Sequence, residues 1–127
     1  MNKEQAEIIK TLTKARALVK RGWVKKYEEL EQGAYVGSHL GASAVKDSRL
    51  KVDSYCTIGA IRKADGPGEK GAFKAIRQAI GELFYGGKTR VGEKGIYQFN
   101  DRKKTTQEDV LAAFDKAIEM VNVDAES

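Results

Sequence analysis

The sequence predicts a mostly α-helical fold, a small bundle of about four helices with glycine-rich loops and room for a minor hairpin. Three observations predict it. Apolar residues recur at three- and four-residue spacing in long stretches, those stretches are bounded by capping or breaking residues, and no run alternates long enough to establish a strand. With 127 residues, 41% of them hydrophobic and 32% charged, the chain suits one ordinary core rather than two, and its composition is globular rather than disordered. Residues 1–127 are therefore read as one domain, with the acidic residues 122–127 fraying.

The first helix covers residues 3–21. Ile8, Leu12, Ala15 and Val19 repeat at four, three and four residues, the period of a buried stripe. Lys20 and Arg21 suit the negative helix end, and Gly22 is expected to close it in the left-handed conformation. Residues 23–32 are ambiguous, because Val24, Tyr27 and Leu30 could continue as a short helix. Residues 33–52 read as irregular, with brief extended pieces at 34–36 and 50–52.

Asp53 or Ser54 can cap a short helix, residues 54–63, that carries Tyr55, Cys56, Ile58, Ala60 and Ile61. Gly59 and Ala60 would let neighbouring backbones approach it closely, so the longer helices are expected to pack around it. Asp65, Gly66, Pro67 and Gly68 make a turn into a helix over residues 69–84, where Phe73, Ile76, Ile80 and Leu83 recur at helical spacing. Residues 86–95 hold four glycines and three cations, and read as a loop, with a small hairpin burying Val91 as the alternative. Ile96, Tyr97 and Phe99 form an apolar patch before Asn100 and Asp101, residues that favour turns. Thr105 and Glu108 have capping-box spacing and predict the start of a last helix, residues 106–122, with Val110, Leu111, Phe114, Ala117, Ile118 and Val121 lining one face.

Three stretches together resemble a known but uncharacterised family of small bacterial and phage proteins. They are Arg21-Gly22-Trp23, then Tyr55-Cys56-Thr57-Ile58-Gly59-Ala60-Ile61, and Phe99-Asn100-Asp101 leading to Thr105 and Thr106. Gln32-Gly33-Ala34-Tyr35 is similar to a fourth signature of that family. The resemblance spans about residues 12 to 121; an extra segment, residues 24–31, follows Trp23, and Phe99 stands where the family has Trp. It implies a helical fold and carries no activity. Its phage-leaning membership implies a modulator of a host system.

Charge is unevenly distributed. Residues 1–104 carry 22 cations against 12 acids, whereas residues 105–127 carry one against six. No acid interrupts residues 8–27, so the first helix projects a positive field that would attract phosphate oxygens or an acidic protein. Lys3, Lys10, Lys14 and Arg21 also fit an ordinary solvated face. No apolar run approaches the roughly 18 residues of a membrane helix, and the first twenty residues carry charge throughout, so a cytoplasmic protein without membrane contact is expected. One cysteine and one histidine provide neither an internal disulfide nor a zinc ligand set, and no metal or cofactor is expected.

No complete catalytic signature is present. Cys56 and His39 are the raw material of a cysteine-dependent enzyme, yet Cys56 lies among apolar residues, where cysteine usually packs as a small hydrophobe. Gly86-Gly87-Lys88-Thr89 ends like a phosphate-binding loop, but the required earlier glycine is Glu82 and a helix precedes it where a strand is needed. The expectation is a non-catalytic binding protein whose partner is a host protein or an anionic ligand, with nucleic-acid or nucleotide binding as the alternative. Its contact residues are expected to be Lys88, Arg90 and Lys94 on the glycine-flanked loop, joined by Asn100, Asp101, Trp23 and Tyr35. For Trp23 the alternative is a core plug, and for Asn100 and Asp101 a structural turn.

Overall fold

Asn2 starts the first helix with a reciprocal cap: its Oδ1 accepts from the Gln5 amide at 2.8 Å while Gln5 Oε1 accepts from the Asn2 amide at 3.0 Å. In the computed structural model, which describes residues 1–25, 54–87 and 91–126 apart from the side chains of 93 and 94, this is α1, Lys3–Arg21. Four more helices follow among the described residues: α2 (Thr57–Ala64), α3 (Glu69–Phe84), α4 (Glu93–Asp101) and α5 (Gln107–Glu126). The chain is thus a mostly α bundle, with one helix more than the periodicity predicts.

The core is a seam between α1, α3 and α5. Leu12, Ala15 and Val19 of α1 and Ala72, Ala75, Ile76, Ala79 and Ile80 of α3 meet Val110, Ala113, Phe114, Ala117 and Val121 of α5. The many alanines let helix axes approach, and the larger residues fill the space between them. Burying the Phe114 ring contributes about 1.5–3 kcal/mol. Across the outer edge of the seam, Arg16 of α1 makes a bidentate ion pair with Asp115 of α5, at 2.6 and 3.2 Å. α3 enters its packing at Gly68, where a Cβ would collide with the Glu7 carbonyl and come within 2.7 Å of Thr11 Oγ1. Space, not backbone angle, makes this position glycine, since its φ is −85°.

The expected central role of the 54–63 helix is not what the structure shows. α2 lies on α1, with smaller contacts to α3 and α4, while α5 is the helix on which both α1 and α3 pack extensively. α2 also begins three residues later than predicted, because Tyr55 is drawn into a short parallel bridge with Trp23. The Tyr55 amide donates to the Gly22 carbonyl at 2.9 Å, and its carbonyl accepts from the Val24 amide at 3.2 Å. Gly22 therefore leaves α1 extended, at φ −168° and ψ 117°, instead of in the left-handed conformation expected of it. Cys56, not Asp53 or Ser54, caps α2: its Sγ accepts from the Gly59 amide at 3.2 Å.

Residues 86–101 also differ from the expected loop. Gly86 and Gly87 do end α3 with positive φ values of 70° and 83°. α4 begins at Glu93, inside the stretch expected to be loop as far as residue 95, and carries the apolar patch together with Asn100 and Asp101. Ile96, Phe99 and Asn100 are buried at three- and one-residue spacing, a helical stripe too short for its period to stand out beside three nearby glycines. The chain reverses one step later, over residues 102–106. α5 is capped one residue beyond the expected place: Thr106 Oγ1 accepts from the Asp109 amide at 3.2 Å and Asp109 Oδ2 from the Thr106 amide at 3.1 Å. Thr105 instead accepts from Arg102 Nε at 3.0 Å. With no breaker after residue 122, α5 runs on to Glu126.

Candidate functional site

Trp23, Thr57 and Asn100, one residue from each of the three sequence signatures, meet at one side chain. Asn100, 2% exposed, projects from the last turn of α4 into the gap between the Trp23–Tyr55 bridge and the start of α2. Its Oδ1 accepts from Trp23 Nε1 at 2.8 Å, from the Thr57 amide at 3.0 Å and from Thr57 Oγ1 at 2.7 Å. Its Nδ2 donates to the Val24 carbonyl at 3.3 Å and to Asp101 Oδ1 at 3.1 Å. The indole and backbone N–H groups can only donate, so they set which end of the amide faces them. Aspartate would lose the donor to Val24, and leucine would strand three donors. Asn100 thus joins α1, α2 and α4 at one point.

Around this junction the backbone collects cations. Lys25 Nζ donates to the carbonyls of Arg102 and Lys103, at 2.6 and 3.1 Å, and lies 5.8 Å from the Trp23 ring centroid. Its acceptors there are neutral. Gln107 Nε2 donates to the carbonyls of Val19 and Lys20, at 2.8 and 3.3 Å, which ties the end of α1 to the start of α5. Lys20, Arg21, Lys25, Arg102, Lys103 and Lys104 consequently gather at one end of the bundle, and all but Lys25 and Arg102 are exposed. Of the acids there, Asp101 accepts from Asn100, Asp109 caps α5, and Glu108 is exposed. The Arg102 guanidinium is held over the rings of Phe99, Phe84 and Tyr85, 5.3 to 5.6 Å from their centroids, which fixes its direction.

The predicted contact residues fall into two groups. Trp23, Asn100 and Asp101 are brought together. Trp23 is half-buried and Asn100 faces inward. Tyr35, Lys88 and Arg90 lie outside the described residues, as does His39; Lys94 is in the first turn of α4, and its side chain is outside them too. Sequence reasoning missed Thr57, although it stands inside a quoted signature, and missed the joining of residues 20–25 to 102–104. Nothing in the spacing announces the latter, since both Lys25 contacts run to backbone carbonyls. Cys56 is 2% exposed with its sulfur turned toward α2, as a core cysteine is. Among the described residues no group of three or more His, Cys, Asp and Glu is placed to hold a metal ion, and no helix is long and apolar enough to cross a membrane.

No curated protein and no solved structure matches the chain. The model of one family matches residues 3–120, which includes all the residues of the junction and the cations around it. On that match the chain belongs to a family of unknown function, DUF6197.

Proposed function

We propose that this protein works by binding, and that an anionic partner is engaged through the cationic end of the bundle. One observation carries the reading: the Lys25 bridge to the 102–103 carbonyls brings two cation runs, distant in sequence, onto one surface. A cluster of cations with few opposing carboxylates raises the local potential and speeds encounter with an anionic surface. The direction of the chemistry-bearing side chains supports binding over catalysis, because Asn100 spends its amide on internal bonds and the Cys56 sulfur accepts a backbone amide. The phage-encoded modulator belongs to the same proposal, with an acidic host protein as its partner, as does the bacterial and phage setting of the family signatures.

Charge reversal provides the test. Lys103→Glu combined with Lys104→Glu changes two exposed sites and should leave the melting temperature nearly unchanged. Capture of a partner from bacterial lysate at low salt should be lost in the double variant and weakened in the parent by raising salt. Undiminished capture by the variant would refute the cationic end as the site. A second reading, nucleic acid, is favoured by the Trp23 ring beside Lys25, an aromatic and a cation at one place. It predicts a linear fall of log affinity with log salt, with the slope shallower by about one for each phosphate-contacting lysine removed.

A further inference from the structure

We propose a second site, independent of the cationic end: the hollow between α2, α3 and α4 binds a nucleotide, with the base inserted and the phosphate outward. Two cavities share Phe73. The inner one, about 90 Å³, is lined by Ile58, Arg62, Phe73, Ile96 and Tyr97. The outer one, about 330 Å³, is bordered by Glu69, Lys70, Phe73 and Arg77. Its volume falls within the range of small-molecule sites.

The two halves differ in chemistry as the two ends of a nucleotide do. Ile58 and Ile96 are buried, the partly exposed rings of Phe73 and Tyr97 stand beside them as a wall on which a planar ring can stack, and Arg62 on the same border can donate to a base carbonyl. The inner space admits a ring edge and not a whole nucleoside, so sugar and phosphate must continue past Phe73 into the outer hollow. There Lys70 is exposed on the rim, and Arg77 Nε is buried without a hydrogen-bond partner. Buried donors are almost always paired; an oxyanion in the outer hollow would bring Arg77 Nε an acceptor, and the Glu69 carboxylate on the same border can take a hydrogen bond from a sugar hydroxyl. A purely apolar ligand would leave these cations unused, and a bare anion would leave the aromatic wall unused. Among the described residues, the Val91 amide donates to the Arg77 carbonyl at 3.4 Å.

Titration of the full chain with uridine monophosphate, uridine and inorganic phosphate, followed by calorimetry and amide chemical shifts, tests the site; the single-ring base suits the small inner space. The monophosphate should bind saturably, with uridine and phosphate each at least about tenfold weaker. Arg77→Gln and Lys70→Gln should weaken the monophosphate several-fold and leave uridine unchanged. Phe73→Leu, with its melting temperature measured in parallel, should weaken both. Shifts should map to residues 58–62, 69–77 and 96–97. Phosphate competing as well as the monophosphate, full affinity in Arg77→Gln, or no saturable binding at low salt would overturn the proposal. Lys103→Glu with Lys104→Glu should not alter nucleotide affinity, so this site and the cationic end fail separately.

Discussion

The Asn100 junction and the α1–α3–α5 seam are both buried, and they hold the fold by opposite means. The seam spreads its stabilisation over some dozen apolar side chains, none of which needs a particular partner. The junction concentrates three acceptor contacts on one oxygen, whose donors are the Trp23 indole N–H, the Thr57 amide and the Thr57 hydroxyl. Dispersion and hydrophobic burial are non-directional and tolerate repacking, whereas a buried polar network is strong when complete and costly when broken. The seam should therefore tolerate changes of shape at constant volume, and the junction should tolerate almost none.

The largest effect is expected from Asn100→Leu, which keeps roughly the volume and removes the acceptor for Trp23 and Thr57. Stranding these donors should cost about 3–5 kcal/mol in urea unfolding. A loss under 1 kcal/mol would mean that water or a shift of α4 replaces the amide, and the contrast with the seam would fail. Phe114→Ala should cost about 3–4 kcal/mol through the cavity it leaves, but Phe114→Leu clearly less, because volume is what this position supplies. Equal losses in the two variants would show that the seam is as specific as the junction.

Gly68→Ala sharpens the comparison within the seam itself. Its methyl has no room beside the Glu7 carbonyl, so thermal unfolding should register a loss of about 1–3 kcal/mol, while Gly86→Ala, with open space around it, should reveal only the strain of its positive φ. Thr57→Val removes one hydroxyl bond and leaves the amide bond to Asn100, which should cost about 1–2 kcal/mol. The smallest effect belongs to the seam's exposed edge: Asp115→Asn should change stability by under about 1 kcal/mol, and added salt should erase the difference.

Periodicity and caps are enough to write α1 to the residue, α3 to the residue and the body of α5, since a long amphipathic stripe has only one stable way to bury itself. The same signals imply the apolar stripes that the seam uses, the core placement of Cys56 and the glycine end of α3, but not that those stripes meet one another instead of the 54–63 helix. They do not reach α4, where nine residues give too few turns for a period and Asn100 and Asp101 carry a strong local preference for turns. Nor do they reach the extended exit of Gly22, which follows from its carbonyl being claimed by Tyr55, more than thirty positions away. Asn100 as the meeting point of Trp23, Val24 and Thr57, and Lys25 as the tie between two cation runs, exist only once the helices have docked. Local patterning acts through neighbours three and four residues apart, whereas a single polar side chain takes its role from whichever donors and acceptors packing delivers to it, and that is decided by the tertiary structure.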